Sequence, residues 1–225
     1  MAHADNHALI GLYRSRAKQY DFSARLFPLV GFRQGAYRKQ AIQALCLQPG
    51  DVVVDVGCGT GLNFPLLRQA VGPTGRVVGV DLTDAMLDRA RERVAAQRWD
   101  NVELVQSDAA EFSFPPAVGG IISAFALTLV PEFDEVIRRG SEKLLPGKRW
   151  VVLDFKLPNN WLAWLAPPLE HLLTRPFGGT LDMAGRHPWE AMQKYLNNVT
   201  VTELFSGFAY IAIGERDHPP REENV

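Results

Sequence analysis

Three glycines at alternate positions, Gly57, Gly59 and Gly61, stand at the centre of the segment Val52–Asn63, which reads VVVDVGCGTGLN. Such a turn is lined by almost no side chains. Backbone N–H groups can therefore approach a ligand closely and adopt dihedrals that other residues avoid. Val52, Val53, Val54 and Val56 are β-branched and suit a strand covered on both faces. A strand, a glycine turn and a helix N-terminus together make a nucleotide-type crevice in an open α/β sheet. Two phosphate-binding forms of that crevice do not fit. The dinucleotide pattern G-x-G-x-x-G gives Gly57, Gly59 and then Leu62, which disfavours an NAD-dependent oxidoreductase. A P-loop would need Gly-Lys-Ser/Thr, and none follows.

The elements that must position this turn alternate along the chain. Strands are expected over 52–56, 76–80, 101–106, 120–125 and 149–155, with helices over 63–70, 84–97 and 132–144. Met86, Leu87, Ala90 and Val94 share one helical face in the second of these. Helices over 9–20 and 34–47 precede the first strand and read as a cap or lid. A strand pair over 199–204 and 208–213, across Phe205-Ser206-Gly207, adds an antiparallel edge. The expected fold is α/β: a doubly wound, seven-stranded, Rossmann-like sheet with an antiparallel final strand and an N-terminal helical cap. Its expected units are a cap over 1–50, a main domain over 51–215 with an acceptor-side insertion over about 157–190, and a flexible tail over 216–225.

The chain has 225 residues, enough for one large domain, and a net charge of −1. No global attraction to nucleic acid or acidic membranes follows from that charge. Cys46 and Cys58 form neither a metal-type spacing nor a disulfide framework, which fits a reducing compartment, and no metal is expected. The opening MAHADNHALIGLYRSR has no apolar h-region, so no signal peptide is expected, and no stretch is long and apolar enough to span a bilayer.

Four landmarks in order resemble the class I S-adenosylmethionine-dependent methyltransferases. Asp55-x-Gly57-x-Gly59-x-Gly61 is similar to the family's motif for the methionine portion of the cofactor, and Cys58, Thr60 and Asn63 belong to the same turn. Asp81, closing VVGVDLT, resembles the acid that holds the ribose hydroxyls. Ser107-Asp108-Ala109 resembles the motif whose Asp meets the adenine amino group and whose next N–H meets the ring. Leu144–Arg149, LLPGKR, resembles the turn before strand five, with Lys148 in place of a glycine. The resemblance implies S-adenosylmethionine as cofactor and S-adenosylhomocysteine as product. Adenosylmethionine carries no phosphate, so the loop needs no lysine. Its diol suits Asp81, its amine suits Asp55, and Leu82 and Met86 can pack on the adenine. Ser123 and Phe125, at the end of strand four, are expected beside the cofactor, Phe125 near the methyl group.

The N-terminal block Tyr13-Arg14, Ala17, Tyr20-Asp21 and Tyr37-Arg38 resembles the ubiquinone/menaquinone C-methyltransferases and phospholipid N-methyltransferases, which share an A-x-x-Y-D box. The chain departs from the quinone enzymes at Phe22-Ser23 and at Asp154-Phe155-Lys156. The resemblance implies a lipophilic or aromatic acceptor: a quinone precursor, an amino phospholipid or a secondary metabolite. A small polar amine or acid, or a nonenzymatic adenosylmethionine-binding role, are the alternatives. Tyr13, Tyr37, Phe125, Trp161 and Trp164 are the candidate acceptor contacts. Tyr20 and His187 are the candidate catalytic bases, with Asp154 a third. The expected setting is cytoplasmic or peripheral at the membrane, with transient surface contact at most, and a monomer or homodimer. No basic stripe and no Asn/Asp-Pro-Pro-Tyr/Phe tetrad points to nucleic acid.

Overall fold

The computed structural model describes Gly11, Arg14, residues 31–158, Trp161, Trp164 and residues 185–217. Tyr13 and Tyr20 lie outside the described residues, as does most of the segment between Pro158 and Gly185.

Seven strands make one mixed sheet: β1 (Val52–Val56), β2 (Arg76–Asp81), β3 (Val102–Gln106), β4 (Val118–Ala124), β5 (Leu144–Phe155), β6 (Asn197–Leu204) and β7 (Ala209–Glu215). Their order is β3-β2-β1-β4-β5-β7-β6. The first five pair in parallel, and β7 runs antiparallel between β5 and β6. The order reverses between β1 and β4, and the crevice beyond the strand C-termini at that point is where open α/β sheets bind ligands.

Period-two alternation sends valines to both faces. Val54, Val56, Val78, Val80 and Val152 join one core, with Trp150 and Tyr210. Helices α4 (Phe133–Lys143) and α5 (Pro188–Tyr195) cover it through Val136, Ile137, Ala191 and Met192. Val53, Val77, Val151 and Leu153 face the opposite core. That face is covered by α1 (Gln34–Ala44), α2 (Phe64–Val71) and α3 (Asp84–Ala96) through Ala41, Ile42, Phe64, Leu67, Leu87 and Ala90.

Two boundaries differ from the sequence expectation for physical reasons. The first helix ends at Ala44 because Cys46 takes a left-handed φ of 51°. It also packs on the sheet, where Ala41 and Leu45 share one apolar cluster with Val53 and Ile122. Strand β5 begins at Leu144, before the Pro146-Gly147 turn, and the turn is absorbed as a register shift opposite Val118 and Gly120. The pairing also runs past Glu215, with Arg216 N donating to Lys148 O at 2.9 Å.

Candidate active site

The glycine turn lies at the switch point, and all three glycines use left-handed backbone, with φ of 68°, 55° and 78° at Gly57, Gly59 and Gly61. A side chain at Gly57 or Gly61 would also collide, with Ala126 and with the Phe64 ring respectively. The turn is pinned from several directions. Cys58 N donates to Val80 O at 2.9 Å. Gly59 N donates to Asp81 Oδ2 at 2.8 Å, and Thr83 N donates to Asp81 Oδ1 at 2.9 Å. Arg93 Nε, from α3, donates to Thr60 O at 2.9 Å. Asp81 therefore ties the glycine turn to the start of α3 while its carboxylate faces the crevice. Burial pushes its pKa up, and the two N–H groups oppose that shift.

The crevice holds about 930 Å³ of empty space, its open mouth included. One end presents Asp81, Leu82, Thr83, Met86, Ser107, Asp108 and Ala109. Asp108 folds its own loop, accepting from Ala110 N at 3.0 Å through Oδ1. The other end is apolar: Phe125, Leu127, Leu129 and Val130. Phe125 holds a left-handed φ of 60°, an uncommon conformation for a bulky residue. Its N–H donates to Leu153 O at 2.7 Å, and its ring packs on Phe155 at 4.9 Å and Phe32 at 5.7 Å.

Asp55 does not line this cavity. It is 0 % exposed and accepts from Asn63 Nδ2 at 3.0 and 3.1 Å. Burial raises its pKa to about 7, against the pull of Asn63 and then of Arg38, with Asp81 adding a smaller upward push. Asn63 Oδ1 in turn accepts from Arg38 Nη1 at 2.8 Å. The guanidinium of Arg38 stands 5.2 Å from the Phe125 ring centroid and lines the cavity. The chain Asp55–Asn63–Arg38 thus delivers a cation to the crevice wall. Arg38 is the residue the sequence reading left without a role. Its signal was its position: Gln34, Arg38, Ala41 and Ile42 form the buried face of α1, and only one of them carries a charge.

Of the cofactor candidates, Gly57, Cys58, Gly59, Thr60, Asp81, Leu82, Met86, Ser107, Asp108, Ala109 and Phe125 line the cavity. Asp55, Gly61, Asn63 and Ser123 are buried and do not line it. The Cys58 thiol is pushed well up by burial and by Asp81, which makes it a poor nucleophile. Tyr37 packs edge-on against Phe32 at 5.4 Å. His187 is away from the cavity, stacked on Trp189 at 4.5 Å, with Nδ1 2.9 Å from Glu190 Oε1. Trp161 and Trp164 are 76 % and 66 % exposed, so they line no enclosed pocket among the described residues.

Residues 53–147 match the model of a methyltransferase domain. The chain is 28 % identical over 177 residues to the demethylmenaquinone methyltransferase of Listeria monocytogenes serotype 4a, covering 78 % of this chain and 72 % of that one. It is 29 % identical over 185 residues to the demethylmenaquinone methyltransferase of Staphylococcus aureus strain JH9, covering 81 % and 75 %. These similarities support a class I S-adenosylmethionine-dependent methyltransferase. Solved structures agree on the fold of this methyltransferase. One from Aquifex aeolicus superposes with a TM-score of 0.64 at 20 % identity, covering 90 % of this chain and 98 % of that one. Geranyl diphosphate C-methyltransferase from Streptomyces coelicolor A3(2) gives 0.62 at 17 % identity, covering 80 % of each. The methyltransferase uses S-adenosylmethionine as methyl donor, in keeping with a crevice that has acids at one end and no phosphate loop.

Proposed function

We propose that this enzyme methylates a lipophilic aromatic acceptor, with a quinone precursor as the first candidate. The observation that carries the reading is the cavity end formed by Phe125, Leu127, Leu129 and Val130, with Phe32 and Phe155 packed behind Phe125. A flat aromatic acceptor gains offset or edge-on ring contacts there, beside the one guanidinium, Arg38, that stands over the Phe125 ring. The curated relatives named for demethylmenaquinone support the same class. Amino phospholipids and apolar secondary metabolites share its chemistry.

In this reading Asp81 accepts the ribose hydroxyls, and Asp108 with the Ala109 N–H meets the adenine, whose face packs on Leu82 and Met86. The glycine turn runs along the methionine portion, and Arg38 pairs with its carboxylate. Asp55 and Asn63 act at one remove, by aiming Arg38. The cofactor when bound supplies an activated methyl sulfonium. The chain's own contribution is to align the acceptor with that methyl and to exclude water around it. His187 and Asp154 are not among the residues that line the cavity, and Tyr20 is the remaining candidate for a general base where the acceptor needs one.

Trp161, Trp164 and Leu157 are exposed, and amphipathic rings of this kind sit well at a membrane–water boundary. We assign them a transient membrane contact through which a lipid-dissolved acceptor is reached. No helix among the described residues is long and apolar enough to cross a membrane.

The test is turnover. Release of S-adenosylhomocysteine is measured with short-chain demethylmenaquinol, with phosphatidylethanolamine vesicles and with a small amine such as glycine. Turnover confined to the quinol supports the quinone reading, and turnover confined to glycine overturns the apolar class altogether.

A further inference from the structure

Beside the cavity lies a second buried polar group that the methyl-transfer reading does not use. Asp154, at the penultimate position of β5, is 3 % exposed. Its Oδ2 accepts from Thr128 N at 2.9 Å, and its Oδ1 accepts from Phe155 N at 2.9 Å. On the other side of the same residue, Thr128 O accepts from Arg186 Nη1 at 2.9 Å. Thr128 is thus bonded at both its backbone groups by side chains that lie 26 and 58 residues away in sequence. It sits in the 3-10 turn Leu127–Leu129, and its neighbours Leu127, Leu129 and Val130 line the apolar end of the cavity.

The turn closes two bonds of its own, Leu129 N to Ala126 O and Val130 N to Leu127 O, each at 3.0 Å, and the Thr128 N–H and C=O must find partners elsewhere. Here the partners are a carboxylate and a guanidinium, and hydrogen bonds to charged groups are the stronger kind. Burying the carboxylate has a cost that an apolar residue would avoid. The sheet does not need it: Val152 on the same face is packed without any polar partner. The Thr128 and Tyr210 hydroxyls are buried in the same polar cluster, and the Thr128 side chain and the Leu127 N–H join the Thr128 and Phe155 N–H groups in favouring the Asp154 charge.

We propose that Asp154 and Arg186 are positioning residues that clamp the Thr128 peptide from its two sides and thereby fix the acceptor-side wall of the cavity. The inference rests on the reading of Leu127–Val130 as acceptor wall, and its first test needs no acceptor. Burial raises the Asp154 pKa to about 6, against the opposing pull of the N–H groups it serves. The titratable group facing Asp154 from β7 is Tyr210, whose pKa is pushed well up by burial and then by Asp154. The charge facing Thr128 from the segment before α5 is Arg186. Lys156, two residues along β5's exit, is engaged by Glu203 at 2.5 Å.

The experiment is hydrogen exchange, read by mass spectrometry, on the full chain saturated with S-adenosylhomocysteine. Asp154→Asn should speed exchange of the peptide covering Leu127–Val130 by about tenfold or more at pH 7.5, the scale of one lost charge-assisted bond. Binding of S-adenosylhomocysteine should change by less than about threefold. Asp154→Glu should restore part of the protection. Arg186→Gln, a change at the surface end of the clamp, gives the same loosening where Asp154→Asn proves too unstable to study. Wild-type exchange over Leu127–Val130 in both folded variants overturns the proposal. Absence of turnover with demethylmenaquinol by the wild-type enzyme counts against the acceptor reading alone.

Discussion

A Cβ placed on Gly57 would lie 2.3 Å from the Cβ of Ala126. The glycine turn and the chain leaving β4 are in backbone-close contact at the reaction end of the crevice. Gly57→Ala combines that overlap with a left-handed φ, and should destabilise the protein by about 2–4 kcal/mol. Gly59→Ala also has left-handed backbone, but its added Cβ meets nothing within 4 Å. It should lose about 1–2 kcal/mol of stability. Because Gly59 lines the cavity, its methyl should still weaken cofactor binding tenfold or more. Melting curves beside calorimetric titration separate the two, and equal melting temperatures for both variants would contradict the contact.

Asp81 carries two roles that substitution can separate. Asp81→Asn keeps one acceptor for the Gly59 or Thr83 N–H but loses the charge that suits the ribose hydroxyls. Affinity for S-adenosylhomocysteine should fall by about 10–100-fold, the scale of one or two charge-assisted bonds. Asp81→Ala should fall further and also loosen the turn. Wild-type affinity in Asp81→Asn would remove Asp81 from the cofactor site.

Arg38→Met keeps much of the apolar stem and removes the cation. Its effect should fall on the cofactor and be partly masked by salt: roughly tenfold weaker binding at low ionic strength, with a smaller gap to wild type at high salt. Arg38→Lys should recover little, because a point charge cannot span Asn63 and a carboxylate as a planar fork does. An unchanged dissociation constant in Arg38→Met would show that the cation serves only Asn63 and Phe125.

The buried acids set a pH dependence with a definite sign. Asp55 has a folded pKa of about 7 against an ordinary 3.8, and Asp154 is raised to about 6. A raised carboxylate stabilises the fold while it is protonated. Its contribution is complete below about pH 4 and is lost as pH rises through its folded pKa. The ligand-free enzyme should therefore melt at a progressively lower temperature from pH 5 to pH 8. Asp55→Asn, which stays neutral, should flatten that slope. A steeper slope in Asp55→Asn would refute the assignment. The exposed ion-paired acids Asp84, Asp134 and Glu135 are shifted the other way and act at lower pH.

Phe125→Ala removes the ring that faces the apolar end of the cavity, and with it the contacts to Phe32 and Phe155. Kinetics with a quinol acceptor should show KM raised about tenfold or more, while cofactor affinity changes little. An equal loss of both affinities would move Phe125 from the acceptor wall to the shared frame.

What the sequence disclosed follows the range of the forces involved. Valine alternation, the three glycines and Asp81 at a strand end are local signals, and the strands, the turn and the switch-point crevice came from them. The Pro146-Gly147 turn was legible as a turn, but not as a register shift inside β5, because that depends on pairing with Val118 and Gly120. Arg38 and Asp55 illustrate the other limit. Asp55 sits inside the motif, yet its side chain points to Asn63 and away from the ligand. Arg38 comes from a helix before the sheet, and only packing brings it to the crevice. The left-handed φ at Phe125 has no composition signal at all, since glycine is the residue that normally marks such backbone.

The Asp81 carboxylate is engaged with Gly59 N and Thr83 N, so the protein's own bonds hold taut the loop proposed to meet the nucleoside. Little chain entropy remains to be lost on capture. Association should then be a single bimolecular phase whose rate rises in proportion to cofactor concentration, with no slower unimolecular ordering step behind it. Release, and not entry, becomes the point at which selectivity among adenosyl compounds is exercised.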